Sequence, residues 1–284
     1  MTGGFVQNPR KPEDIAAEIA STKAQRVESF GRLRTITPDH KLLLVREGEW
    51  IVRGLHYHLE AILGLQGPSI QSIADMAASD TSNLLVAHAP ALVDLTYEFG
   101  ALSALARIAV NQVLRFCQPS LNLAAGSLPN SITKVLGWDT DHPVLRGLQT
   151  DLRAVIDYLI DLRDCLTHHR TLAVGDELLA VEEGFPENRI PEMQPFLVLG
   201  MVRVYFRRLG GTAVSVNISL PDQIYVSTGT TTKLIRPFTY QTINLVSQAR
   251  DFVRICSETI LVALTLNLDD KKYNLAPKPR AQPP

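Results

Sequence analysis

Residues 89–118, APALVDLTYEFGALSALARIAVNQVLRFCQ, decide the fold class. Leu92, Leu95, Phe99, Leu102, Ala106, Ala109, Val113 and Phe116 alternate spacings of three and four, which puts all of them on one stripe of an α-helix. Pro119 disfavours helical backbone in the residue before it and ends the segment. Residues 143–168, PVLRGLQTDLRAVIDYLIDLRDCLTH, carry a second stripe of the same kind: Leu148, Leu152, Val155, Leu159, Leu162 and Leu166. It reads as one long helix. Two such seams suit near-parallel packing in a four-helix-type bundle.

Outward from these helices the pattern stays helical. Pro12, Glu13 and Asp14 open a helix reaching about Phe30, because proline and acids are favoured in a first turn. Asp39 caps a second helix reaching Leu65, with Leu44, Ile51, Leu55, Leu59 and Ile62 as its stripe. Gly48 and Gly54 argue against that helix, and a hairpin over 42–52 competes with it. Pro68 starts a third, short helix ending near Ser79, and 80–83 reads as a linker. A short helix is expected over 130–136. An acidic loop spans 172–194, another bundle helix 196–209, and Gly210-Gly211 stops it. Over 212–236 the period changes to two, as in Val214, Val216 and Ile218, so a small β excursion is expected. The last helix covers 239–266, with Leu245, Ala249, Phe252, Cys256, Ile260 and Ala263 facing inward.

The expected architecture is mainly α: a four-to-five-helix bundle with an N-terminal helical extension and a small β excursion before the last helix. In domain terms, 1–12 is an unstructured N-terminus, 13–84 an N-terminal helical region, 85–268 the bundle containing the 212–236 excursion, and 269–284 a C-terminal tail. The proline-rich end, 277–284, is expected to lack regular structure.

Composition narrows the function. Of 284 residues, 45% are hydrophobic and 20% charged, enough for a sizeable core. The formal net charge of −1 excludes a protein that coats long nucleic acid, so any such contact must be a local arginine cluster. Cys117, Cys165 and Cys256 are far apart within apolar helical patterns and read as small buried hydrophobes, not as a disulfide framework or a zinc site. No apolar run is long enough to span a membrane, and no secretory leader is visible. The protein is expected in the cytoplasm. No phosphate-cradling glycine loop, nucleophile elbow or metalloprotease motif is present. His56 and His58 are two apart on a predicted helix, point to different faces, and do not suit a shared metal.

Chemistry concentrates at 163–170. Arg163 lies one turn after Leu159 on the margin of the seam, where a guanidinium needs a partner. Asp164 and His168 are four apart, so the carboxylate can orient the imidazole. His169 and Arg170 crowd the same helix end. The competing explanation is structural: the helix dipole favours cations in a last turn whatever their function.

Arg163-Asp164-x-x-x-His168 resembles the signature of the HEPN superfamily of RNA-cutting and RNA-binding helical domains. That signature is an arginine followed by Asn or Asp, with histidine four to six residues on, near the end of a long bundle helix. His169 also satisfies the spacing. Glu98, on the 89–118 helix, matches a glutamate that the family carries on a preceding helix. The resemblance covers roughly 85–268. It implies metal-independent RNA cleavage: His168 as acid–base group, Arg163 gripping the phosphate, Asp164 orienting His168, and His169, Arg170 and Glu98 as auxiliaries. It also implies a homodimer, no cofactor or metal, an antitoxin or defence partner protein, and a role in bacterial stress or phage defence. On an ideal helix Arg163 and His168 point about 140° apart, in keeping with the family habit of building the site between two protomers. Arg170 stands where members paired with a nucleotidyltransferase carry a tyrosine, so that toxin type is not implied. The rival readings are a non-catalytic helical interaction module and a small-molecule pocket beneath the acidic loop.

Overall fold

The computed structural model describes residues 12–78, 90–123, 127–167, 193–199, 202–209, 212–219, 223–227, 232–237 and 242–278, with backbone alone for 12, 72–78, 92, 161, 163–167 and 193–243. Helix α1 spans Pro12–Ile36, with Glu13 and Asp14 in its first turn. Helix α2 spans Asp39–Ala78, 40 residues without a break. No hairpin forms over 42–52, and Pro68 starts no separate helix, because α2 passes through it. The Ser69 hydroxyl lies 2.6 Å from the Leu65 carbonyl and 2.9 Å from the Ala91 carbonyl, tying this end of α2 to the next helix.

The two glycines that argued against α2 are packing notches. A Cβ on Gly48 would lie 2.7 Å from Leu264 Cδ1 and 2.9 Å from Ile260 Cγ2, and one on Gly54 would lie 2.9 Å from Leu105 Cδ2. The helix propensity lost at each glycine is offset by closer approach of the neighbouring helices.

Helix α3 spans Pro90–Cys117 and ends in a 3-10 turn, Gln118–Ser120, carrying Pro119. From Leu95 to Phe116, every seam residue read from the sequence is buried. The short helix α4, Ile132–Val135, lies inside the expected 130–136. The expected single helix over 143–168 is two: α5, Pro143–Gln149, and α6, Arg153–Thr167. Thr150 between them has φ −113° and ψ −85°, outside helical backbone. The Gln149 amide donates to the carbonyls of Val135 and Trp138, at 2.8 and 2.9 Å, fastening α5 to the α4 segment and redirecting the chain.

Helix α7, Leu245–Leu266, is capped by Asn244, whose side-chain oxygen accepts from the Ser247 N–H at 2.9 Å. All six of its expected inward residues are buried. Before it, the expected helix over 196–209 is β structure. Strands β2 (Met193–Leu199), β3 (Val202–Leu209), β4 (Thr212–Ser219) and β7 (Thr242–Asn244) form an antiparallel sheet in that order, and β5 (Gln223–Ser227) pairs with β6 (Thr232–Pro237). Val202, Val204 and Phe206 alternate with Arg203, Tyr205 and Arg207, a two-residue period that pairing with β2 and β4 selects. Two-residue strands β1 (Asp139–Thr140) and β8 (Leu275–Ala276) pair near the chain end.

The protein is therefore mainly α-helical. One core runs through it: Phe30 of α1, Leu55 and Ile62 of α2, Leu95, Leu102 and Phe116 of α3, and Phe252 of α7 are all fully buried. Burial of each such side chain contributes about 1.5–3 kcal/mol. The helices before residue 85 share this core with those after it.

Candidate functional site

The end of α6 carries the motif. Ile156, Leu159 and Leu162 are its buried residues, while Leu152 and Val155 are only partly covered. Arg163 follows Ile156 by seven and Leu159 by four, so helical register puts its Cα on the core side, and Asp164 lies 100° further round. The side chains of Arg163 and Asp164 are not described. His168, His169 and Arg170 lie outside the described residues. Helix α6 packs along α3, as the two seams require. Three rings link these helices to α7: Phe99 stacks on Phe252 at 6.4 Å, and Tyr158 tilts on Phe252 at the same distance.

Glu98 is placed on a different neighbour. Its Oε2 lies 2.7 Å from His58 Nδ1, both side chains being partly buried between α2 and α3. Sequence reasoning did not find this pair, because nothing local joins residues 40 apart. His58 does turn away from His56, as their spacing requires.

His56 lies at the floor of a cleft of about 310 Å³ between α1 and α2, lined also by Lys23, Arg26, Glu49, Arg53, Tyr57 and Glu60. Both its ring nitrogens are buried without a hydrogen-bond partner. Burial holds its pKa below the usual histidine range, against the opposing pull of Glu60 and reinforced by Lys23 and Arg26. Around it, ion pairs close α1 onto α2: Lys23 with Glu60, and Arg34 with the buried Glu49 at 2.8 Å, whose other oxygen takes Arg53 at 2.7 Å. Arg26 reaches Glu258 of α7 at 2.9 Å.

A second histidine is sealed at the opposite end of α3. His142 Nε2 lies 3.0 Å from the hydroxyl of Ser120, and its ring meets Tyr273 edge-on at 4.9 Å. Burial depresses its pKa to about 4, opposed by Asp141 and a backbone hydrogen bond. Ser120 is itself buried and donates to the Cys117 carbonyl at 2.8 Å, so this serine–histidine pair has no access for a substrate. It fastens the tail: Asn122 N–H donates to the Tyr273 carbonyl, and Tyr273 N–H to that of Ser120.

Cys117 and Cys256 are free and buried, and burial raises both thiol pKa values, that of Cys256 to about 12. They are small core residues, not nucleophiles. Among the described residues no group of three His, Cys, Asp or Glu side chains gathers around one point, and no helix is long and apolar enough to cross a membrane. The class these features define is a mainly α-helical bundle with a small β insertion. No family model, curated protein or solved structure matches the chain.

Proposed function

We propose that the chain is a HEPN-like protein that binds RNA and cuts it without metal at the C-terminal end of α6. What supports the reading is the helix pair itself: α6 ends in Arg163-Asp164, with the Cα of Arg163 on the core side, and lies along the long seam helix α3. In this reading Arg163 clamps the phosphate and His168 moves the proton between the 2′-hydroxyl and the leaving oxygen. Asp164 orients His168, and His169 is its substitute. Arg170 adds charge at the same end. Glu98 is already held by His58, so its part would be to brace α2 against α3. A homodimer, a cytoplasmic setting and an antitoxin or defence partner belong to the same proposal.

The test is RNA degradation by the pure protein, with and without chelator. Arg163→Ala/His168→Ala should lose cleavage by about 10²–10⁴-fold, His169→Ala should be milder, and chelator should have no effect. Cleavage that stops with chelator, or that survives in His168→Ala, sinks the mechanism.

A second reading, a non-catalytic helical interaction module, is favoured by the exposed Leu43, Trp50 and Tyr57 on α2. Absence of any RNA cleavage, with Arg163→Ala mainly lowering stability, would decide for it.

A further inference from the structure

Two side chains of the cleft between α1 and α2 hold polar atoms with nothing to bond to. His56 is only 4% exposed, and both its ring nitrogens are buried without a partner. Arg26 spends a terminal nitrogen on Glu258 at 2.9 Å, but its Nε, also buried, has no partner. Buried polar atoms are left unpaired so seldom that each calls for a cause. Here both side chains line one cavity of about 310 Å³. That is the small end of the ~300–1,000 Å³ range of ligand pockets. Replacing the imidazole by an apolar ring would remove the unpaired atoms, so the chain keeps it at a cost in stability.

The charge around the cleft is unbalanced. Glu49 takes both Arg34 and Arg53, Glu60 takes Lys23, and Glu258 takes Arg26. Four cations thus share three carboxylates. Arg254, which also approaches Glu258, has Asp251 as a second partner at 3.5 Å and does not change the balance. One positive charge is left over. Burial keeps His56 neutral near pH 7, so one ring nitrogen donates and the other accepts. Beside these groups Val27, Phe30 and Val52 form an apolar wall.

We infer that the cleft binds a small carboxylic acid in its anionic form, the carboxylate held by Arg26 and His56 and the apolar body lying on Val27, Phe30 and Val52. A carboxylate answers each feature of the site. Its oxygens accept from the Arg26 Nε–H and from the imidazole N–H, and bonds of this charge-assisted kind are the strong ones. Its single negative charge matches the one unbalanced cation. A phosphate dianion would set a second negative charge beside Glu49 and Glu60. A neutral ligand would leave the surplus cation unmatched. The site uses no residue of the RNA-cutting proposal and stands or falls separately.

The experiment is isothermal titration calorimetry of the full chain with phenylacetate and hexanoate as probes. Phenylacetamide serves as the uncharged counterpart and inorganic phosphate as the competing anion. Circular dichroism confirms the fold of each variant. At least one of the two acids should bind one-to-one with a Kd of about a millimolar or tighter. The amide and phosphate should bind about tenfold more weakly or not at all. His56→Phe keeps the ring and removes its nitrogens, and Arg26→Gln removes the guanidinium while leaving Glu258 at the surface. Each should weaken the acid by about tenfold or more. If His56→Phe does not fold, Arg26→Gln decides. Absence of saturable binding by both acids overturns the inference and leaves the cleft to water. So does an amide or phosphate that binds as tightly as the acids, or acid binding that survives in the folded variants.

Discussion

Helix α3 and the α5–α6 segment carry the same kind of three-and-four seam, yet the first is one unbroken helix of 28 residues and the second bends at Thr150. The seam of α3 is buried from Leu95 to Phe116, whereas Leu152, just before α6, and Val155 on it are only partly covered, and the buried residues shift to Ile156, Leu159 and Leu162. An apolar period therefore reports which faces can be buried, not whether the backbone runs straight between them. The bend comes from side-chain hydrogen bonds to distant carbonyls, from Gln149 to the α4 segment, and from the sealed His142–Ser120 contact at the start of α5. Periodicity has no access to either.

The widest gap between the two segments should appear in their cores. Leu102→Ala, on the α3 seam, should cost about 3 kcal/mol or more in urea unfolding, while Val155→Ala on α6 should cost about 1 kcal/mol. Equal losses would mean that the α6 seam is as deeply packed as that of α3.

Acid should loosen the bent segment. His142 titrates near 4 when folded, below the ordinary 6.5, so between these values the unfolded chain binds a proton that the folded chain does not. Stability is thus complete above pH 6.5, falls as the pH drops toward 4, and levels off below. The loss from this group is about 3 kcal/mol. His56, also lowered by burial, acts with the same sign. A His142→Phe variant should flatten much of this pH dependence in thermal melts, and an unchanged slope would remove His142 as its source.

Gln149→Ala deletes both hydrogen bonds at the bend and should cost about 2 kcal/mol, without altering the α3 seam. Hydrogen exchange should then rise in α5 and not in α3. The smallest effect is expected at the exposed Arg153–Asp157 pair, where Arg153→Ala should change stability by about 0.3–0.5 kcal/mol, fading in high salt.

Of the proposed site, the sequence located Arg163 and Asp164 on a helix beside the 89–118 helix, and α6 has them there. It named Glu98 as an auxiliary of that site but gave no sign of His58, which the packing of α2 on α3 brings to within 2.7 Å of the Glu98 carboxylate.

By itself the sequence determined which segments could hide an apolar face. Leu95 through Phe116 and Leu245 through Ala263 were readable because burial of one helical stripe is a local, periodic property of the chain. Tertiary structure decided what depended on residues far apart. It turned Gly48 and Gly54 from helix-breaking signals into contact notches, because Ile260, Leu264 and Leu105 come close enough to need the missing Cβ. It made 202–209 a strand, because β2 and β4 supply the hydrogen-bond partners that a helix would have found within itself.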